Sequence, residues 1–283
     1  MGVAVLRLTS DLISKGKRCL ARLGAVSRRA LGMVGVIGSG PGKGLRFDAG
    51  PHTRQFTDGK YERPVQDALA SMVKPGDVCY DVGANLGFFS LLLSRLAGPA
   101  GVVYAFEPVP NNAATIERNV RLNSLRNVKV LKVALSSVDG KGELLLARHV
   151  GGAVLKSAGT PPDLAGSMIV ETVSLDTLVG RRRIRPPTVI KIDVEGAEME
   201  VLQGMKRVLR ESHPIVLLEF DDESAPACEK KMSSCCSYLQ DAGYRTELLP
   251  KSYPDGNWIV RHILARPTHS RDRETGHAGD QAC

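Results

Sequence analysis

From Pro64 onward, short apolar runs alternate with stretches whose apolar residues recur at helical spacing. Strands are predicted at 78–82, 102–106, 127–133, 188–193 and 214–220. Helices are predicted at 65–73, 87–97, 110–123, 197–210 and 227–241. Strands separated by helices of this length run parallel and are joined by right-handed crossovers. The blocks VIKID (189–193) and PIVLLEF (214–220) lack polar alternation, as expected of strands covered on both faces. Runs at 244–249 and 257–264 read as an antiparallel pair closing the sheet. The fold class is therefore α/β: a doubly wound, mostly parallel seven-stranded sheet with an antiparallel final strand. Residues 138–187 break the rhythm, with ELLLA (143–147) and MIVETV (168–173) forming a hairpin insertion before the fourth core strand. The Gly-, Ala- and Pro-rich loop 151–167 between them has the length of a lid or binding loop, placed to close over an acceptor.

Composition divides the chain. A length of 283 residues suits one core with a small appendage. Residues 1–50 hold nine Lys or Arg against Asp11 and Asp48, so +7 of the +8 net charge lies there. The expected organisation is a basic N-terminal extension and linker (1–45), a catalytic domain (46–266) and a disordered polar tail (267–283). Nucleic acid is not an expected partner, because the charge does not form a basic groove through the core. Leu6, Leu8, Leu12, Ile13, Leu20, Leu23 and Val26 give the extension an amphipathic helical pattern. It reads as a cap on the domain or a dock for a second copy, and alternatively as weak attachment to an anionic membrane surface or a targeting peptide. The run LGMVGVIGSG (31–40) is too short and glycine-rich for an integral membrane segment. Six cysteines without metal-ligand spacing suggest free thiols in a reducing, cytoplasmic compartment, and no metal.

The chemistry concentrates at strand ends. VCYDVGANLG (78–87) ends an apolar run on Asp81, turns through Gly83, Asn85 and Gly87, and enters an apolar helix. VVYAFE (102–107) ends the next run on Glu107, an acid placed to accept both ribose hydroxyls. The turn lacks the glycines that cradle a pyrophosphate. It suits a nucleoside with an uncharged or cationic tail, of which S-adenosyl-L-methionine is the obvious one. Asp193, Glu195 and Glu219 gather at the ends of later strands. Carboxylates so crowded require a raised pKa, a bound cation or a Lys or Arg partner.

DGKYERPVQ (58–66), KPGDVCYDVGANLGFFS (74–90), VYAFEPVPNN (103–112), VKVLKVALSS (128–137), VSLDTL (173–178), VIKIDVEGAEMEVLQG (189–204) and HPIVLLEF (213–220) together carry a resemblance to the FkbM-type family of class I S-adenosylmethionine-dependent methyltransferases. DVGANLG followed at this distance by KIDVEGAE is the specific part. The resemblance implies a Rossmann-like sheet whose cofactor site includes Asp81, Gly83, Ala84, Asn85, Gly87, Glu107 and Pro108. Asp81 would reach the cofactor's amino group, and Glu107 the ribose. Gly83 and Gly87 would allow close backbone approach to the ligand. Asn85 is either a left-handed turn residue or a latch under the methionine moiety. Ala134 and Ser136 are the adenine contacts, through backbone or hydroxyl.

Asp193 is the group expected beside the reacting hydroxyl, with Glu195 orienting the acceptor or lying under the sulfonium. Tyr61, Glu62 and Gln66 either close over the donor or simply start a helix at Pro64. His52, His149 and His213 each read first as surface histidines, and only His149, in the lid-like loop, sits where a general base is useful. No Asn-Pro-Pro-Tyr-type motif of amine methylation is present, which favours an oxygen nucleophile. The family implies a hydroxyl on a sugar, polyketide or other small molecule. The alternatives are a nicotinamide-dependent oxidoreductase on a similar sheet, whose pyrophosphate glycines this turn lacks, and a non-catalytic nucleoside-binding or interaction module.

Overall fold

The computed structural model describes residues 34–148, 152–253 and 259–268. The amphipathic extension up to residue 33 and His149 lie outside the described residues. In chain order the strands are β1 (Val34–Val36), β2 (Arg46–Asp48), β3 (Val78–Val82), β4 (Val102–Phe106), β5 (Val128–Leu131), β6 (Ala134–Leu135), β7 (Gly140–Ala147), β8 (Ala153–Leu155), β9 (Leu164–Val173), β10 (Val189–Ile192), β11 (Ile215–Asp222), β12 (Tyr244–Leu248) and β13 (Ile259–Pro267). The helices are α1 (Thr53–Thr57), α2 (Arg63–Met72), α3 (Phe88–Ala97), α4 (Pro110–Leu122), α5 (Leu175–Gly180), α6 (Glu198–Gln203), α7 (Lys206–Ser212) and α8 (Ala225–Asp241).

Seven strands form the central sheet in the order β12-β13-β11-β10-β3-β4-β5. The five strands from β11 to β5 are mutually parallel, and β13 inserts antiparallel to both β11 and β12. The period-two alternation of strands sorts the apolar residues into two layers. Val78, Tyr80 and Val82 face the side covered by α6, α7 and α8. Cys79, Val103, Leu217 and Leu264 face α2 and α3. The inserted hairpin is larger than the sequence suggests: β7 and β9 pair over eight positions, and β8 and β6 extend them to a four-stranded sheet, β6-β9-β7-β8.

Three expectations are corrected. GSGPGKG (38–44) is the turn region between the paired strands β1 and β2, rather than a linker. Ile37 and Leu45 on either side of it are 1% and 3% exposed, so a boundary at residue 45 would cut a packed hairpin. The segment 197–210 is two helices. Gly204 lies so close to the Ser136 carbonyl that no side chain fits between them. The Asp176 carboxylate then caps the new helix by accepting N–H groups from Arg207 (2.8 Å) and Val208 (2.9 Å). Finally, the last strand reaches Pro267, and the Thr268 N–H donates to the Gly243 carbonyl, so the domain passes the expected boundary at 266.

Cys79, Cys228, Cys235 and Cys236 are free thiols, the first three buried. No helix among the described residues is long and apolar enough to cross a membrane.

Candidate active site

The parallel strands β3, β4 and β10 end together at the carboxyl end of the sheet, where the turns that follow them line a cleft. Gly83, Asn85, Glu107, Pro108, Ala134, Asp193 and Glu195 line it together, with Val82, Phe106 and Leu135 as apolar wall. Seven of the expected site residues therefore converge.

Glu107 is pinned by its surroundings. One carboxylate oxygen accepts the Asn85 N–H and the other the Val109 N–H, both at 2.8 Å. It is 4% exposed, and burial pushes its carboxyl up to about 7 against the pull of those N–H groups. The Asn112 amide adds a long contact, 3.5 Å, to the oxygen that Val109 serves, and the oxygen that Asn85 serves keeps a lone pair for a hydroxyl donor. Asn85 adopts φ +50°, and its Oδ1 is buried without a hydrogen-bond partner. A buried acceptor that lines a cleft and lacks a donor fits a ligand that brings one. These features suit a nucleoside cofactor with a ribose diol and an amino group.

Four expected residues are placed elsewhere. Gly87 caps α3 at φ +91°, where a Cβ would meet Ile116 Cγ1 at 3.0 Å. Its glycine serves helix packing and not ligand approach. Gly83 likewise spares a collision with the Asp193 carbonyl. The Ala84 N–H donates to the Phe106 carbonyl, and its methyl packs with Ala105 and Ile116. The Ser136 hydroxyl is committed to Glu200 at 2.8 Å. Asp81 points away from the cleft into an ionic cluster, where the Ser90 hydroxyl donates to it at 2.5 Å. Ala84, Gly87, Ser136 and Asp81 thus do not line the cleft.

The ionic cluster lies on the α2 and α3 face of the sheet, where alternation and register assemble it. Lys191 stands opposite Asp81 in the β10–β3 pair, and Glu219 opposite His262 in the β11–β13 pair. Lys191 is 1% exposed, donates to Asp193 at 2.8 Å and sits 4.5 Å from the Phe89 ring centroid. Burial opposes its charge, but Asp193, Glu62, Glu219 and Asp81 outweigh it and hold the ammonium protonated. Burial raises Asp193, with Lys191 pulling the other way. His262 is pulled down by burial, but its contacts with Glu219 and Glu62 lift it to about 9. Glu62 enters from the residue preceding α2, at φ +41° and 2% exposed. Tyr61 beside it stacks among Phe56, Phe88 and Phe89. The Gln66 amide donates to the Tyr61 carbonyl at 2.5 Å. The helix start and the buried cluster are therefore one structure, and neither Tyr61, Glu62 nor Gln66 lines the cleft.

Lys191 and His262 escaped the sequence reading. Each is an ionisable residue set inside a largely apolar run, Lys191 in VIKID and His262 in VRHILA, and that is the signal that marks them.

A second, wider cavity of about 800 Å³, open to solvent, adjoins the cleft. Its walls are the insertion segment from Gly152 to Asp163 and the end of β11, including Glu219 and Asp221. Ala153 and Glu195 line both cavities. Glu195 adopts φ +55°. Burial, then the charges of Asp221 and Asp193, push its carboxyl up to about 10. His52 and His213 line neither cavity, and His213 sits at the amino end of β11, far along the strand from Glu219.

The fold is an α/β domain whose cleft, at the carboxyl ends of β3, β4 and β10, adjoins a second, wider cavity. The methyltransferase FkbM domain matches residues 81–246, more than half of the chain, and the chain belongs to that family. It is 31% identical over 163 residues to the hexuronic acid methyltransferase AglP of Haloferax volcanii, covering 58% of this chain and 64% of that protein. It is 27% identical over 164 residues to the 31-O-demethyl-FK506 methyltransferase FkbM of Streptomyces tacrolimicus, covering 47% of this chain and 61% of that one. The chain spans about three fifths of the length of the curated relatives it matches. A crystal structure of the FkbM methyltransferase from Methylobacillus flagellatus KT is similar over 66% of this chain and 43% of its own, at 18% identity and a TM-score of 0.46.

Proposed function

We propose that this protein is an S-adenosylmethionine-dependent O-methyltransferase acting on a hydroxyl of a sugar, polyketide or other small molecule. The observation that carries this reading is the junction at Glu195, where the cleft that contains Glu107 meets the wider cavity. A donor in the first and an acceptor in the second would meet there. Family membership supports methyl transfer, and the names of the two relatives, a hexuronic acid enzyme and a demethyl-FK506 enzyme, support a small hydroxylated acceptor.

The sulfonium is an activated donor. In the transfer the acceptor oxygen forms a bond to the methyl carbon as the carbon–sulfur bond breaks, and the hydroxyl loses its proton. The protein aligns the two, excludes water and receives that proton. Glu107 holds the ribose. Asp193, at the cleft wall, takes or orients the proton, and Lys191 beside it favours its charged form. Glu195, protonated at neutral pH, donates a hydrogen bond to the acceptor. A nicotinamide enzyme has less support, because Gly83 and Gly87 are used against Asp193 and Ile116 and leave no pyrophosphate cradle.

The test begins with heat protection. S-adenosylhomocysteine should stabilise the purified protein and NAD should not. Labelled methyl donor is then screened against sugars, sugar acids and hydroxylated natural products. With an acceptor in hand, Asp193→Asn should lower turnover by about 10²–10⁴-fold, the usual loss of a general base. S-adenosylhomocysteine affinity should change less than about fivefold. Protection by NAD alone would overturn the reading, and parental turnover by Asp193→Asn would remove that residue from the chemistry.

A further inference from the structure

Glu62, Glu219 and His262 come from positions far apart in the chain and meet on one face of the sheet. His262 Nε2 lies 2.8 Å from Glu219 Oε2 and 3.6 Å from Glu62 Oε2. One ligand atom from each residue falls within 4.8 Å of the other two. An ion bound at about 2.0–2.2 Å by such ligands would hold them roughly 3.4 Å apart in tetrahedral geometry, so that His262 and Glu219 would open from their 2.8 Å contact to admit it while Glu62 stays near its present distance from His262. We propose that these three side chains form a binding site for a first-row divalent cation such as Zn²⁺ or Mn²⁺.

A second observation points the same way. Glu62 Oε2 is buried and accepts no hydrogen bond. Its other oxygen receives a long contact, 3.4 Å, from the Tyr253 hydroxyl, and His262 and the Tyr61 hydroxyl also favour the charged carboxylate. A buried carboxylate oxygen without a donor is costly, and a metal ion would satisfy it. No hydrogen bond joins Lys191 to Glu62 Oε2, and the Lys191 ammonium donates to Asp193 at 2.8 Å. Two carboxylates and a neutral imidazole balance a divalent ion. One imidazole nitrogen with two carboxylate oxygens is a donor set that first-row ions accept. The other ring nitrogen, Nδ1, lies 3.5 Å from the Ser252 hydroxyl, a partner that can orient the ring. Glu219 also lines the wider cavity, which gives an ion a way in. Where the proposed methyl transfer holds, the ion would stand at the acceptor's wall and favour acceptors with vicinal hydroxyls or a carboxylate. That consequence rests on the functional reading, whereas ion binding itself does not.

The full chain, stripped with chelator, is dialysed against Zn²⁺ and its metal content measured. Co²⁺ is added in parallel as an absorbing probe. About one ion per chain is expected, with Co²⁺ visible absorption and X-ray absorption showing nitrogen and oxygen ligands. His262→Ala and Glu62→Gln should each weaken binding at least tenfold, in protein whose thermal melt is still cooperative. Occupancy below about 0.1 ion per chain, unchanged affinity in both variants, or sulfur ligands would overturn the site and leave a closed cluster with a protonated His262. If a variant fails to fold, the ligand spectrum of the unmodified protein decides. S-adenosylhomocysteine calorimetry on the same samples reads the methyltransferase assignment separately, so that either proposal can fail alone.

Discussion

Glu107 is a carboxylate placed where water cannot help it. Its two N–H donors fix its direction, and burial lifts its pKa to about 7. Only the ionised form offers acceptors to both ribose hydroxyls. The sign follows: cofactor affinity is full above pH 7 and falls below it, by up to about tenfold per pH unit for one linked proton. Calorimetry with S-adenosylhomocysteine between pH 5.5 and 8 should show this slope, and Glu107→Gln should be weaker and nearly flat. An equal slope in the variant would assign the proton to another group. Lys191 makes the complementary case. Its ammonium compensates Asp81 and Asp193 in a site 1% exposed, so Lys191→Met leaves those charges uncompensated. A loss of about 3–5 kcal/mol is expected from urea unfolding. Asp193→Asn added to Lys191→Met should recover part of it, and strictly additive effects would show that the pair is not coupled.

At the scale of elements, side chains complete what the backbone leaves open. Strand β2 has β1 on one edge, and Asn119 of α4 with Asn123 at its C-cap serves the other. Asn123 accepts the Arg46 N–H at 2.8 Å and donates to its carbonyl at 2.7 Å. Asn119 does the same for Asp48, at 2.9 and 3.1 Å. The i, i+4 spacing on the helix thus mimics a strand partner. Asn119→Ala leaves a fully buried N–H and C=O of Asp48 without partners, and should cost about 2–3 kcal/mol in urea unfolding. A change below 0.5 kcal/mol, on the order of a surface substitution, would mean that water replaces the amide.

The core strands were legible in the sequence because their apolar runs and the intervening helical periods are local signals. The cleft residues Gly83, Asn85, Glu107 and Asp193 were legible because strand ends collect function. What stayed hidden depends on neighbours distant in sequence. The break at Gly204 is set by the Ser136 carbonyl, and the cap on α7 comes from Asp176. The parity of Lys191 and His262 could be read, but not that register would set them near Asp81 and Glu219.

Over the whole molecule, the hairpin before the core decides where the domain begins. Composition places the boundary at the glycine-rich run 38–44, because glycine, lysine and proline there resemble a linker. In the structure that run reverses the chain so that Ile37, Leu45 and Phe47 enter the same layer as Leu69, Leu91 and Leu264. Two shortened chains separate these pictures. One beginning at Val34 loses only residues outside the described region and should unfold with the parental midpoint and keep S-adenosylhomocysteine affinity. One beginning at Arg46 loses β1, exposes the surface under Ile37, and frees an edge of β2. Removing two buried aliphatic side chains' worth of packing costs about 3–6 kcal/mol by area, less what the denatured chain already buries. The expected outcome is a much lower urea midpoint for the Arg46 chain and weakened cofactor binding in proportion to its unfolded fraction. Because β2 pairs with α4 through Asn119, and the Asn119 amide also donates to the Leu86 carbonyl in the turn after β3, the loss should reach the cleft itself. Equal stability of the two chains would place the hairpin outside the folding unit and restore the boundary that composition suggests.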